Sequence, residues 1–206
     1  IEIFKGFENL SVLRWSSSGK EIFFTITFNN SSQSSYIIPK LGGRAQQLKT
    51  IQYGCWSPDD NLIAGLSHSY KNINLIKRET DEIIKTIVPK GSFAPFDDLD
   101  WSPIGDKILF LALDESSGRN QLWTIKTDGT EQQKILENTK SIYSPRWSRD
   151  GKHIYYLQSN EKTRDLMKIS LTTSDRTSKV VQAGLQAYGL SITSDNKKMC
   201  YTKYNT

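Results

Sequence analysis

Four tryptophans stand in the same local setting along this chain: Arg14-Trp15-Ser16, Cys55-Trp56-Ser57, Asp100-Trp101-Ser102 and Arg146-Trp147-Ser148. They are separated by 41, 45 and 46 residues, and a fifth copy follows 45 residues later with Ile192 in place of the tryptophan. A repeat of this length signals an array of like supersecondary units, each burying a face against its neighbours. It also separates two kinds of residue. Repeated ones build the scaffold, and non-repeated ones at equivalent positions carry what is individual.

Aligned on the tryptophan, the copies place Gly19, Asp60, Gly105, Gly151 and Asn196 four residues further on. Gly, Asn and Asp tolerate a positive φ best, so each copy turns there through a left-handed residue. Pro58 and Pro103 sit where a turn wants φ preset, and Asp59, Asp150 and Asp195 accept hydrogen bonds from the turn backbone. Past the turn, Ile22 and Phe24, Ile108 and Phe110, Ile154 and Tyr156, and Met199 and Tyr201 place apolar, β-branched and aromatic residues two apart, a period of two that predicts strands. Copy two is looser, with Ile63 and Gly65. A third strand is expected at Tyr36-Ile38, Ile73-Ile76, Leu122-Ile125 and Leu166-Ile169. Turns then follow at Leu41-Gly43, Glu79-Asp81, Thr127-Gly129 and Thr172-Ser174. A short fourth strand closes each unit at Gln46-Leu48, Ile83-Lys85, Lys134-Leu136 and Lys179-Val181. No window sustains a helical period.

Four short antiparallel strands per unit predict an all-β chain, a β-propeller with about four full blades and a partial fifth. The blades start near residues 10, 51, 97, 143 and 187 of a single propeller domain or segment covering 1–206. The chain opens on Ile1-Glu2-Ile3-Phe4, which reads as the outer strand of a preceding blade, and closes after the second strand of blade five. The expectation is a segment of a six- or seven-bladed ring of about 260–310 residues. In the alternative, a five-bladed ring, Ile3 and Phe4 pair with blade five, which is left short of a strand.

Composition excludes several function classes. No stretch approaches the roughly 18 apolar residues of a membrane-spanning helix, so no membrane insertion is expected of this segment. The net charge is +5, but the 27 Lys and Arg are scattered and form no basic run, so no nucleic-acid partner is expected. Cys55 and Cys200 fall in different blades and are not expected to pair. His68 and His153 are the only histidines. His153 occupies a position that holds Glu21, Leu62, Lys107 and Lys198 in the other copies, and no Gly-x-Ser-x-Gly elbow occurs. The chain is therefore expected to be non-enzymatic, with no catalytic residue, no cofactor and no bound metal. Asp97, Asp98 and Asp100 form the one dense acidic group, and the plainer expectation is that an aspartate there pairs with an arginine or caps a turn.

Candidate binding residues come from two places. One is the position before each anchor, which reads Arg14, Cys55, Asp100, Arg146 and Ser191 and faces opposite to the tryptophan. Arginines and an aspartate near a propeller axis suit an anionic peptide or a small carboxylate-bearing ligand in the central channel. The plainer alternative is an ion pair between blades, for instance Asp100 with Arg146. The other place is the loops entering the inner strands, with Phe93, Phe96, Asp97, Asp98 and Tyr143. Tyr53, Tyr143 and Tyr188 lie just upstream of their anchors and either form a stacking rim or pack between blades.

The strings from Trp56 (Trp-Ser-Pro-Asp-Asp-Asn-Leu-Ile-Ala), Trp101 (Trp-Ser-Pro-Ile-Gly-Asp-Lys-Ile-Leu-Phe) and Trp147 (Trp-Ser-Arg-Asp-Gly-Lys-His-Ile-Tyr-Tyr) resemble TolB-type propeller repeats, the Pro-Asp-Gly relatives of WD-repeats. Leu41-Gly42-Gly43-Arg44 resembles that family's link into its outer strand. Gly189-Leu190-Ser191-Ile192-Thr193-Ser194-Asp195 resembles the last blade of bacterial propellers fused to kinase or winged-helix regulatory modules. The resemblance covers essentially the whole chain. It implies a protein- or peptide-binding sensor or scaffold module of a larger regulatory protein, and a periplasmic or extracytoplasmic setting over a cytoplasmic one. The alternative it allows is the substrate-gating propeller of a prolyl-oligopeptidase-type serine peptidase whose hydrolase domain lies elsewhere. Ser17-Ser18 and Thr193-Ser194 depart from the usual Ser-Pro, and Ile104 from the usual Asp, so weaker turns are expected in those blades.

Overall fold

The computed structural model of the chain describes residues 10–28, 32–93, 97–138, 140–173, 177–193 and 198–203, with backbone only for 11, 12, 97, 138, 188, 202 and 203. The described residues form strands and no helix. Two compact units divide the chain, Ile1–Pro89 and Lys90–Thr206. The expected strand at Ile1–Phe4, the turn residue Asn196 and the chain end Tyr204–Thr206 lie outside the described residues.

The first unit holds two blades. Blade one is β1 (Leu10–Trp15), β2 (Glu21–Thr27), β3 (Gln33–Pro39) and β4 (Gln46–Leu48), and blade two is β5 (Gln52–Trp56), β6 (Leu62–Leu66), β7 (Ile73–Lys77) and β8 (Ile83–Ile87). Each is a four-stranded antiparallel sheet in sequence order. The blades meet through one dry cluster of Phe23, Ile37, Leu48, Ile51, Trp56, Ile63 and Ile76. Around it, Glu21 forms a bidentate ion pair with Arg78, and Asp81 accepts from Lys49 N at 2.6 Å.

The second unit holds blade three, β9 (Asp97–Trp101), β10 (Lys107–Leu113), β11 (Asn120–Lys126) and β12 (Gln133–Asn138). Blade four is β13 (Ile142–Trp147), β14 (His153–Asn160), β15 (Thr163–Ser170) and β16 (Lys179–Leu185), and the start of blade five is β17 (Ala187–Ile192) with β18 (Met199–Lys203). Leu109, Leu111, Leu122 and Ile135 of blade three pack on Trp147, Ile154, Tyr156 and Met167 of blade four. Leu157 and Leu166 of blade four pack on Ala187 and Leu190 of blade five.

The turn after each inner strand forms as the residue types require. Gly19, Asp60, Gly105 and Gly151 have φ of 66°, 62°, 91° and 69°, and each donates its N–H to the carbonyl of the serine after the tryptophan. That serine is buried in all four turns. Ser57 Oγ donates to Asp59 Oδ1 at 2.6 Å and accepts from Leu62 N at 2.9 Å. Ser148 does the same with Asp150 at 2.5 Å and His153 N at 2.9 Å. These bonds, the serine's foremost, hold both carboxyls below the usual aspartate range. Where Ile104 replaces the aspartate, Ser102 Oγ is buried with no hydrogen-bond partner among the described residues.

Trp56, Trp101 and Trp147 are buried, Trp56 and Trp147 in clusters shared by two blades of one unit, whereas Trp15 is 53% exposed. The reason is its face. Trp15 pairs across the ladder with Ile22, whereas neighbouring Phe23 points to the other side, into the cluster shared with blade two. Cys55 is buried, Cys200 is exposed, and neither is in a disulfide.

Candidate functional site

The inner strands share a device that the residue pattern does not announce. Every one of them, β1, β5, β9, β13 and β17, breaks register with its neighbour near its start. In three of them the residue three places before the anchor is left-handed: Tyr53 at φ 47°, Asp98 at 49° and Ser144 at 49°. A bulge of this kind inserts one residue, bends the strand and re-aims the side chains around it. Because the bulge recurs and its residue does not, these three inner strands carry a different group at the same backbone position.

In the first unit that group is Tyr53. Gln33, at the start of β3, donates to the Tyr53 hydroxyl and accepts from the Tyr70 hydroxyl, holding the two rings tilted with centroids 6.1 Å apart. Beside them His68 Nε2 lies 2.8 Å from the Lys49 carbonyl, which only accepts, so this nitrogen carries the hydrogen. His68 Nδ1 then accepts from Gln52 Nε2 at 3.1 Å. Arg14 is half-buried, and its carbonyl accepts from Trp56 Nε1 at 3.2 Å.

In the second unit the bulge residue is Asp98. Its Oδ1 lies 2.8 Å from Arg146 Nη1, with side-chain exposures of 17% and 7%. Arg146 Nε donates to the Leu190 carbonyl at 3.1 Å and Nη1 to the Pro145 carbonyl at 2.5 Å. One guanidinium therefore joins blades three, four and five. Asp100 does not reach Arg146; its Oδ2 accepts from Trp147 N at 2.8 Å. The inter-blade ion pair weighed in the sequence exists, with Asp98 in the place of Asp100.

Tyr143 lies beneath Arg164, whose guanidinium carbon is 3.8 Å from the ring centroid. Hydrogen bonds with Ser159 and then Ser141 hold its phenol below the usual tyrosine range. Phe93 is buried, its ring edge-on to Trp123 at 5.4 Å and to Phe110 at 6.5 Å, inside blade three. Phe96 and the side chains of Asp97 and Tyr188 lie outside the described residues.

The structure thus brings together Asp98, Asp100 and Arg146, and sets Phe93 and Tyr143 in separate surroundings of the same unit. Gln33, Tyr70 and Arg164 were missed because they sit outside the repeat's anchor segment, and no motif marks them. Among the described residues no three His, Cys, Asp or Glu side chains converge as a metal site would require. His153 is 4.0 Å from Asp150. Burial foremost, then the charge of Lys168, holds its imidazole below the ordinary histidine range.

No family model matches the chain. Over 128 residues, 60% of its length, the chain is 27% identical to dipeptidyl-peptidase 5 of Porphyromonas endodontalis. Over 72 residues, 34% of its length, it is 29% identical to the Tol-Pal system protein TolB of Legionella pneumophila. Each match spans 17% of the length of that relative. In three dimensions the chain superposes on a putative TolB from Agrobacterium tumefaciens with a TM-score of 0.71, at 14% identity, over 96% of this chain and 78% of that one. The fold is that of the TolB β-propellers. TolB from Acinetobacter baumannii gives a TM-score of 0.67 at 16% identity, over 89% of this chain and 47% of that one. A chain of a nidogen/laminin complex gives 0.73 at 11% identity, over 94% and 72%. The TolB-like fold accounts for the repeat, the turn and the four-stranded blade.

Proposed function

We propose that this TolB-like propeller is a non-catalytic interaction or sensor module of a larger regulatory protein, recognising a protein or peptide through the segments that open its inner strands. The observation that carries this reading is the repeated bulge: one backbone device that places a different residue, Tyr53, Asp98 or Ser144, at the start of an inner strand. Invariant geometry with varied chemistry is how a rigid scaffold displays recognition residues. The anionic-ligand reading of Arg146 is weakened by its three hydrogen bonds within the fold. TolB propellers and a chain of a nidogen/laminin complex share the architecture, and the latter is part of a protein–protein complex.

The test is selection of peptides from a displayed random library on the immobilised chain. Enriched peptides should lose at least about tenfold in affinity with Tyr53→Ser or Tyr143→Ser, in variants whose circular dichroism is unchanged. Enrichment indifferent to both changes would overturn the placement of the site, and no enrichment would count against the peptide reading.

A second reading has one observation in its favour, the 27% identity to dipeptidyl-peptidase 5 over 128 residues. There the chain is a propeller that gates access to a hydrolase domain. A Gly-x-Ser-x-Gly elbow encoded downstream in the same gene decides for it.

A further inference from the structure

A cleft of about 330 Å³ opens where blade four passes to blade five, lined among the described residues by Thr163, Gly184, Leu185, Gln186 and Tyr201. Only Gln186 separates β16 from β17, so the chain turns this corner sharply. Its walls are held by polar groups that the β-sheet itself does not need. In the β15–β16 ladder, Arg164 pairs with Leu185 and Leu166 with Gln182, which leaves Ala183 and Gly184 together facing Asp165. Gly184 takes φ 72°, a conformation glycine adopts without strain. The buried Asp165 carboxylate accepts Gly184 N at 2.9 Å and Asn160 Nδ2 at 3.0 Å. On the other side Arg164 Nη1 donates to the Ala187 carbonyl at 2.8 Å. A buried carboxylate and a guanidinium thus fix the two backbone segments that border the cleft.

The lining states what fits. Leu185 forms a buried apolar floor and the half-exposed Tyr201 a wall. Gln186 and Tyr201 make no side-chain hydrogen bond among the described residues, and Thr163 Oγ1, donating to the Asn160 carbonyl at 3.1 Å, keeps acceptor capacity toward the cleft. Among the described residues no charged side chain lines it. An apolar floor with three neutral polar groups at its rim suits one uncharged side chain together with the amide of the residue that bears it, and its size lies at the small end for ligand sites.

We infer that this cleft receives an aromatic or aliphatic side chain of a peptide partner, clasped by Leu185 and Tyr201 with its amide bonded to Gln186 and Thr163. The inference rests on the peptide-module reading above and gives it a second contact, away from the inner-strand bulges. The probe is N-acetylphenylalaninamide, titrated into the ¹⁵N-labelled chain and followed by amide chemical shifts. Shifts centred on Gly184, Leu185 and Gln186 are expected, with Kd raised about tenfold or more by Tyr201→Ala and by Gln186→Glu, which puts a charge at a neutral rim. The same spectra report whether each variant is folded. Shifts confined to the surroundings of Tyr53 or Tyr143 would overturn the cleft and leave the module reading standing. Absence of any shift, shifts unchanged in both variants, or a stronger response to N-acetylglucosamine than to the amide would overturn it outright.

Discussion

Ser102 shows how a single departure from the repeat reads out in energy. Its hydroxyl is buried without a partner because Ile104 stands where Asp59 and Asp150 serve the equivalent serines. Ile104→Asp should therefore stabilise the second unit by about 0.5–1.5 kcal/mol, the net worth of one hydrogen bond. Ile104 is 71% exposed, so little apolar burial is lost. Urea denaturation at pH 7 checks the sign, and a loss of stability would refute the reading of this turn. The carboxylates also set a pH dependence. Asp59 and Asp150 have depressed pKa values, so their contribution is present above the ordinary aspartate pKa of about 4 and is lost as pH falls through the lower folded values. Ser57→Ala with Ser148→Ala should flatten the fall in stability below about pH 4. Arg146 is the costlier residue. Arg146→Ala removes the guanidinium that joins Asp98, Pro145 and Leu190 and should destabilise by about 3 kcal/mol or more. Arg146→Met combined with Asp98→Asn should recover part of that, because the carboxylate charge that faced the guanidinium is then removed as well. A loss that is the same in the double variant would mean that packing, not charge, holds this joint.

At the scale of elements, strand positions were legible because short runs of β-branched and aromatic residues recur at a fixed distance from each anchor and are buried on both faces, and the turns because Gly and Asp mark positive φ. The bulges were not legible. Tyr53, Asp98 and Ser144 are left-handed, yet a tyrosine at that position carries no signal, since bulky residues seldom adopt positive φ. That one inserted residue is why Asp98, and not Asp100, meets Arg146. The turn of blade one corrects a second expectation. Ser17 and Ser18 do not leave a loose turn; their N–H groups donate to Asp60 Oδ1 and Oδ2 at 2.5 and 2.8 Å, so blade two braces it. A proline at position 17 has no N–H to give. Ser17→Pro, which restores the family's Ser-Pro, should therefore destabilise by about 1 kcal/mol, the lost charge-assisted bond outweighing a gain of about 0.4–1 kcal/mol from a stiffer unfolded chain. In an Asp60→Gly background, where the brace is already absent and φ 62° suits glycine, the same proline should stabilise. A double-mutant cycle reads this reversal; additive effects would show that Asp60 does not support the turn.

At the scale of the whole molecule, the repeat made the propeller fold legible and left its recognition chemistry hidden, because the groups that differ between blades sit on bulges, linkers and corners outside the anchor string. The same division bears on catalysis. A hydrolase needs a nucleophile within reach of a base that a third group orients. His68 has both ring nitrogens engaged, with Gln52 and the Lys49 carbonyl. His153 faces Asp150 and the ring of Tyr155, with no serine or cysteine Oγ or Sγ hydrogen-bonded to either imidazole among the described residues. The module and the gating propeller therefore make the same prediction for this chain alone: no release of p-nitroaniline from a dipeptidyl p-nitroanilide above the buffer rate, between pH 6 and 9 in steps of about one unit. They differ in whether a hydrolase domain with a Gly-x-Ser-x-Gly elbow is encoded in the same gene, as only the gating reading requires. A gate changes which peptides that domain cleaves, so joining the two should lower kcat/KM for long substrates relative to dipeptidyl ones. A recognition module needs no such domain and binds its peptide through Tyr53 or Tyr143. Hydrolysis by the isolated chain, abolished by His68→Ala or His153→Ala, would overturn both readings at once.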